Sequence, residues 1–152
     1  MGADKKETAA QRFRGGFNCA QAVFSVFADE CGLETDDALR IAGGLGGGLG
    51  CGEVCGALSG GVLAVGARFG QCIEGDSGAK MNCAAKTREL TRAFRLASGG
   101  ALRCSGILGY DLSTDEGRAR RASDGTRESV CIPLVEAVID GVLAAWPGEA
   151  RD

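Results

Sequence analysis

Residues 43–61 read GGLGGGLGCGEVCGALSGG. A stretch with so few side chains cannot supply an ordinary core layer. It must serve as a loop, or as a surface that something else approaches closely. A dinucleotide fingerprint would need Gly-x-Gly-x-x-Gly behind a strand, and no frame of the tract fits. A phosphate loop would need Gly-Lys-Ser/Thr, which is absent. What remains is a flexible linker, or close approach, in which exposed main-chain N–H groups meet a bulky anion. Just beyond, Gly56, Gly60 and Ala64 recur every four residues, as do Gly66 and Gly70. Such a ridge of small residues lets another helix come close, within the chain or across a homodimer seam.

The rest of the chain reads as helix, because no window shows the apolar alternation of a strand. Residues 1–14 form a polar N-terminal helix or arm. Asn18 caps a helix in which Ala20, Val23, Phe24, Phe27 and Cys31 share a face, and Gly32 stops it. Asp36 and Asp37 open a short helix over 36–43. The next begins near Val54 or Cys55 and runs to Phe69. Residues 78–98 make another, with Ala84, Leu90, Phe94 and Ala97 on one side. Residues 98–114 are turns around at most one helical turn, and the charged 115–127 is a surface excursion. Pro133 places the start of the last helix near Cys131, and Pro147-Gly148 ends it. The expected fold is all-α: one domain over 1–152, a compact bundle of about five helices with a glycine-rich loop before the third long helix.

Eight cysteines and no histidine bound the chemistry. Without histidine there is no Ser-His-Asp or Cys-His catalysis, and any soft-metal site must use thiolate. The net charge of −3 argues against nucleic acid and against a polybasic membrane anchor. The tract 41–66 is too glycine-rich for a membrane span. The charged start MGADKKETAAQRFRGG lacks the apolar core of a secretory signal, so a cytoplasmic location is expected, where cysteines serve metal or redox chemistry more often than disulfides.

Cys19, Cys55 and Cys131 each fall in the first turn of an expected helix. There, unpaired N–H groups and the helix dipole favour thiolate. Cys104 lies in a turn-rich stretch with glycines at 99, 100, 106 and 109. Cys31 and Cys83 sit inside helical patterns and read as small buried hydrophobes. Cys51 and Cys72 are candidates for a second thiol site. Gly50, Gly52 and Gly56 are placed to offer main-chain support to a cluster. Gaps of this size match no compact ligand motif, so spacing alone does not unite the four.

CGALSG (55–60), with GFNCAQAV (16–23), CSGILGYDL (104–112) and CIPLVEAV (131–138), resembles the C_GCAxxG_C_C family of small redox-active bacterial proteins. The resemblance runs from about residue 8 to 143. It implies that Cys19, Cys55, Cys104 and Cys131 are the family's four cysteines. It also implies an iron–sulfur role, since a similar domain in split-Soret cytochromes holds a cluster. Cys31, Cys51, Cys72 and Cys83 exceed the family pattern.

Four readings follow. In the first, the four thiolates hold an iron–sulfur cluster, [2Fe–2S] or [4Fe–4S], and pass single electrons to a partner oxidoreductase, or sense redox state, without a substrate of their own. In the second, Cys55 attacks in metal-free thiol–disulfide exchange, although the usual Cys-x-x-Cys is missing. In the third, zinc takes the same four thiolates. In the fourth, the chain is a dimeric helical scaffold with buried cysteines. The basic run 117–129 offers a docking face for an acidic partner, or is a solvated loop.

Overall fold

Asn18 accepts from the Gln21 amide (2.8 Å) while the Gln21 side chain accepts from the Asn18 amide (2.9 Å). This reciprocal capping box fixes the start of the helix carrying Cys19. In the computed structural model, which describes residues 1–146, the chain forms α1 (Gly2–Arg14), α2 (Cys19–Ser25), α3 (Thr35–Ile41), α4 (Gly56–Phe69), α5 (Ser77–Ser98), α6 (Cys104–Leu108), α7 (Asp115–Ser123) and α8 (Ile132–Ala145). Pro147 and Gly148, expected to end the last helix, lie outside the described residues. Among the described residues there is no strand, only an isolated antiparallel bridge between Val54 and Arg103.

The all-helical class agrees with the sequence, but the count of about five helices does not. The helix expected from Asn18 to Cys31 stops at Ser25 and resumes as a single tight turn over Asp29–Cys31. Segments 104–108 and 115–123 are helices in their own right. Helices this short span too few turns for an apolar periodicity to register. They are set by caps instead: the Thr114 hydroxyl takes the Gly117 amide at 3.0 Å.

The core lies where α8 packs on α1, α4 and α5, and α2 packs on α4. Val135, Val138, Ile139 and Val142 of α8 are buried with Phe13, Phe24, Phe27, Leu90 and Phe94. Beyond the end of α8, Trp146 meets Phe27 edge-on, with ring centroids 5.0 Å apart.

Helix α4 is the centre of the packing because it lacks side chains where its neighbours cross. A Cβ at Gly60 would lie 2.7 Å from the Ala20 carbonyl oxygen and 3.0 Å from Ala20 Cα. At Gly61 it would lie 2.5 Å from Val138 Cγ1. Gly60 of the small-residue ridge, with neighbouring Gly61, therefore takes part in packing inside the chain, against α2 on one side and α8 on the other. Among the described residues no helix is long and apolar enough to cross a membrane.

Candidate redox centre

Cys19 is the first residue of α2, directly after the Asn18 cap, and is buried. Asn18 also ties this point to the glycine tract, donating from Nδ2 to the Gly43 carbonyl at 3.0 Å. The tract then folds back as a tight turn over 48–52, in which the Glu53 amide bonds the Gly48 carbonyl at 3.0 Å. Gly52 needs its φ of +79°, and a Cβ there would collide with the Ser105 hydroxyl.

Two main-chain hydrogen bonds then clamp the second and third cysteines together. The Cys55 amide donates to the Leu102 carbonyl (2.8 Å), and the Cys104 amide donates to the Glu53 carbonyl (2.7 Å). The glycine tract is thus an ordered strap that pairs with residues 102–104 and sets Cys55, the cap residue of α4, beside Cys104, the first residue of α6. Glu53 points away from the thiols and pairs with Arg103 at 2.7 Å.

Cys131 stands where expected, as the cap residue at the start of α8. A wide helical turn over Arg127–Cys131 leads straight into α8, and Cys131 itself has helical angles (φ −68°, ψ −45°). Pro133, which lacks an N–H, sits in the first turn of α8, where no intrahelical donor is required of it.

Cys19, Cys55, Cys104 and Cys131 line one cavity, walled otherwise by Ala57, Ile107, Leu108, Val130 and Leu134 and by the Arg121 side chain. The cavity is nearly closed, at about 10 Å³, so the sulfurs lie close under apolar cover. The Cys19 thiol is held down to about 6, first by its hydrogen-bonding contact with the Cys55 thiol, against the opposing effect of burial. The Gly47 and Ala20 amides and the Arg121 charge add to this. Cys55 is pushed up, because it keeps the proton shared with Cys19 and is buried. Burial raises Cys104 to about 11 and raises Cys131 as well, with Arg121 opposing in both cases. In the metal-free centre the contact between Cys19 and Cys55 favours the charged form of Cys19, while burial favours the protonated forms of Cys104 and Cys131.

Arg121 is the counter-charge. Burial works against its charge, but Cys131, Cys19 and Cys104 outweigh that and hold it protonated. Its Nη2 lies 4.0 Å from Cys131 Sγ, and its Nε is buried without a hydrogen-bond partner. Helix α7, the segment read as a surface excursion, delivers it. The dense basic run was the only signal that a cation stood nearby, and nothing local says which arginine turns inward.

Of the three glycines singled out, Gly56 bears directly on the centre: a Cβ there would lie 2.5 Å from Cys19 Sγ. Gly52 supports it indirectly through Ser105, while Gly50 has open space around it. Gly47, not singled out from sequence, is the glycine whose amide faces the Cys19 sulfur, at a φ of +63°. Cys31 is buried and turns its sulfur to the Ala64 carbonyl (3.8 Å), and Cys83 is half-buried at the core edge. Cys51 and Cys72 are both exposed and stand beyond opposite ends of α4, a helix about 21 Å long, so the fold does not join them.

Zinc needs its sulfurs at about 2.3 Å from one point. Among the described residues, no three His, Cys, Asp or Glu side chains are grouped to hold one metal ion. Cys19, Cys55, Cys104 and Cys131 around their shared apolar cavity are the residues that would hold either zinc or an iron–sulfur cluster, once their sulfurs were brought to ligating distance.

No curated protein and no solved structure matches the chain. The profile of the family described as "Putative redox-active protein (C_GCAxxG_C_C)" matches residues 17–144, a span that contains all four cysteines of the cavity. On that match the chain belongs to the C_GCAxxG_C_C family.

Proposed function

We propose that this redox-active protein holds an iron–sulfur cluster on Cys19, Cys55, Cys104 and Cys131 and exchanges single electrons with a partner oxidoreductase. The observation that carries the reading is the convergence of four sequence-distant cysteines on one apolar cavity. When bound, such a cluster supplies one-electron chemistry. The chain's own residues do the rest. Ala57, Ile107, Leu108, Val130 and Leu134 exclude water from the sulfurs. The Gly47, Ala20 and Ala57 amides and Arg121 favour negative charge on sulfur.

The test is anaerobic purification with iron, zinc and acid-labile sulfide measured per chain. Iron and sulfide in equal amounts, with visible absorbance, are expected. Single Ser replacements at the four cavity cysteines should abolish both, whereas those at Cys31, Cys51, Cys72 and Cys83 should not. A colourless protein without iron sinks the reading.

One observation favours a second reading: Cys19 and Cys55 already share a proton. Without metal, the Cys19 thiolate would attack the disulfide of an oxidised partner. Cys55 would then displace the partner sulfur, leaving a Cys19–Cys55 disulfide and a reduced partner. Reversible loss of two thiols on mild oxidation, abolished by Cys19→Ser and independent of iron, supports this reading over the first.

A further inference from the structure

Beside the thiol centre, and sharing Arg121 with it, is an open cavity of about 310 Å³. Three guanidiniums line it, those of Arg118, Arg121 and Arg127, and no carboxylate does. Arg118 donates to the Leu112 carbonyl (3.1 Å) and is ion-paired with Asp115, which stands outside the lining. Arg127 donates only to the Phe13 carbonyl (3.4 Å) and lies over the Phe13 ring, so no anion meets it among the described residues. Arg121 has the thiol centre behind it and an unpartnered Nε. Asp115 and the thiol centre meet Arg118 and Arg121 from outside the hollow, so an anion inside it would be the first to join all three cations.

The other walls are of two kinds. Gly16, Gly46, Gly47 and Gly50 present bare main chain, while Phe17, 38 % exposed, and Leu112 present apolar surface. We propose that this cavity binds a small organic phosphate, its phosphate gripped by the guanidiniums of Arg118, Arg121 and Arg127 and its apolar body laid on Phe17. Guanidinium forks match phosphate oxygens two at a time. The volume exceeds what inorganic phosphate fills and sits at the small end of organic-ligand pockets, which start at about 300 Å³. Arg118 and Phe17 do not line the thiol cavity, so their replacement separates this site from whatever the thiols hold.

Calorimetric titration of the full chain with adenosine monophosphate, inorganic phosphate and adenosine tests it. Saturable binding of the nucleotide is expected, with weaker binding of phosphate and none of adenosine. Arg118→Gln should weaken nucleotide binding about tenfold or more, the usual effect of losing a charged hydrogen bond. Phe17→Ala should weaken the nucleotide but not phosphate. Both residues are exposed, so neither change threatens folding, and Arg92→Gln on α5 controls for bulk charge. The proposal is overturned by any one of three results: no saturable heat from the nucleotide at millimolar concentration, unchanged affinity in Arg118→Gln, or adenosine binding as tightly as its phosphate.

Discussion

Replacing Gly60 by Ala pits two effects of opposite sign against each other. In a helix interior alanine is favoured over glycine by about 1 kcal/mol. At Gly60 the new methyl would sit 2.7 Å from the Ala20 carbonyl oxygen, 3.0 Å from Ala20 Cα and 3.1 Å from Val23 Cβ. Two of these neighbours are main chain and cannot rotate aside, so α2 must move off α4. Overpacking of this kind costs about 1–3 kcal/mol, and a rigid neighbour puts it in the upper half. The net is a loss of about 1–2 kcal/mol, or roughly 3–6 °C in Tm for a chain of this size. Gly66, in the same helix, has nothing within 4 Å of its would-be Cβ. There Ala should stabilise by about 1 kcal/mol. Urea unfolding of both variants, followed by circular dichroism and by fluorescence of buried Trp146, gives the comparison. Because Ala20 adjoins Cys19, Gly60→Ala should also lower iron content. A Gly60→Ala protein as stable as its parent, or matching Gly66→Ala, would refute the close crossing of α2 on α4.

Further outcomes are expected in the metal-free protein. Cys19, lowered from 9.0 to about 6, adds stability that is complete above the unfolded value and lost as pH falls through the folded one. Unfolding free energy should therefore rise between about pH 6 and 9, and Cys19→Ser should flatten the rise. Cys104, raised to about 11, acts with the opposite sign: its share is complete below 9.0 and lost as pH climbs from there toward the folded value. Arg121→Gln should slow iodoacetamide alkylation of Cys19 at pH 7, by removing a charge that favours the thiolate. Asn18→Ala should cost about 1 kcal/mol through loss of the capping box, read as a lower Tm. Leu49 holds a left-handed φ of 59° and is 61 % exposed, so Leu49→Gly should stabilise by about 1 kcal/mol in the same assay.

The long helices were legible because each carries several turns of apolar periodicity: α8 through Leu134, Val138 and Val142, and α5 through Leu90 and Phe94. Asn18 announced α2 by its chemistry. What the sequence hid is non-local. The pairing of residues 53–55 with 102–104 rests on main-chain bonds that any side chains would allow, so no residue type marks it. The inward turn of Arg121 is set by thiols from other helices, and Arg118 and Arg120 of the same helix look identical to it in sequence. Helix-start reasoning found Cys19 and Cys55 for sound reasons. It reached Cys131 through Pro133, which does stand in the first turn of α8, although the wide turn over Arg127–Cys131 ahead of it means that this helix start is not free. Uniting the four cysteines came from family likeness, since their spacing carries no such signal.

Cys131 closes a cavity whose other sulfurs come from the first two-thirds of the chain. A ribosome-bound chain that stops short of that residue has three thiols open to oxidants and no enclosure for them. A centre that used all four sulfurs would therefore assemble only once the chain had been made through Cys131, with Leu134 of α8 completing its apolar wall.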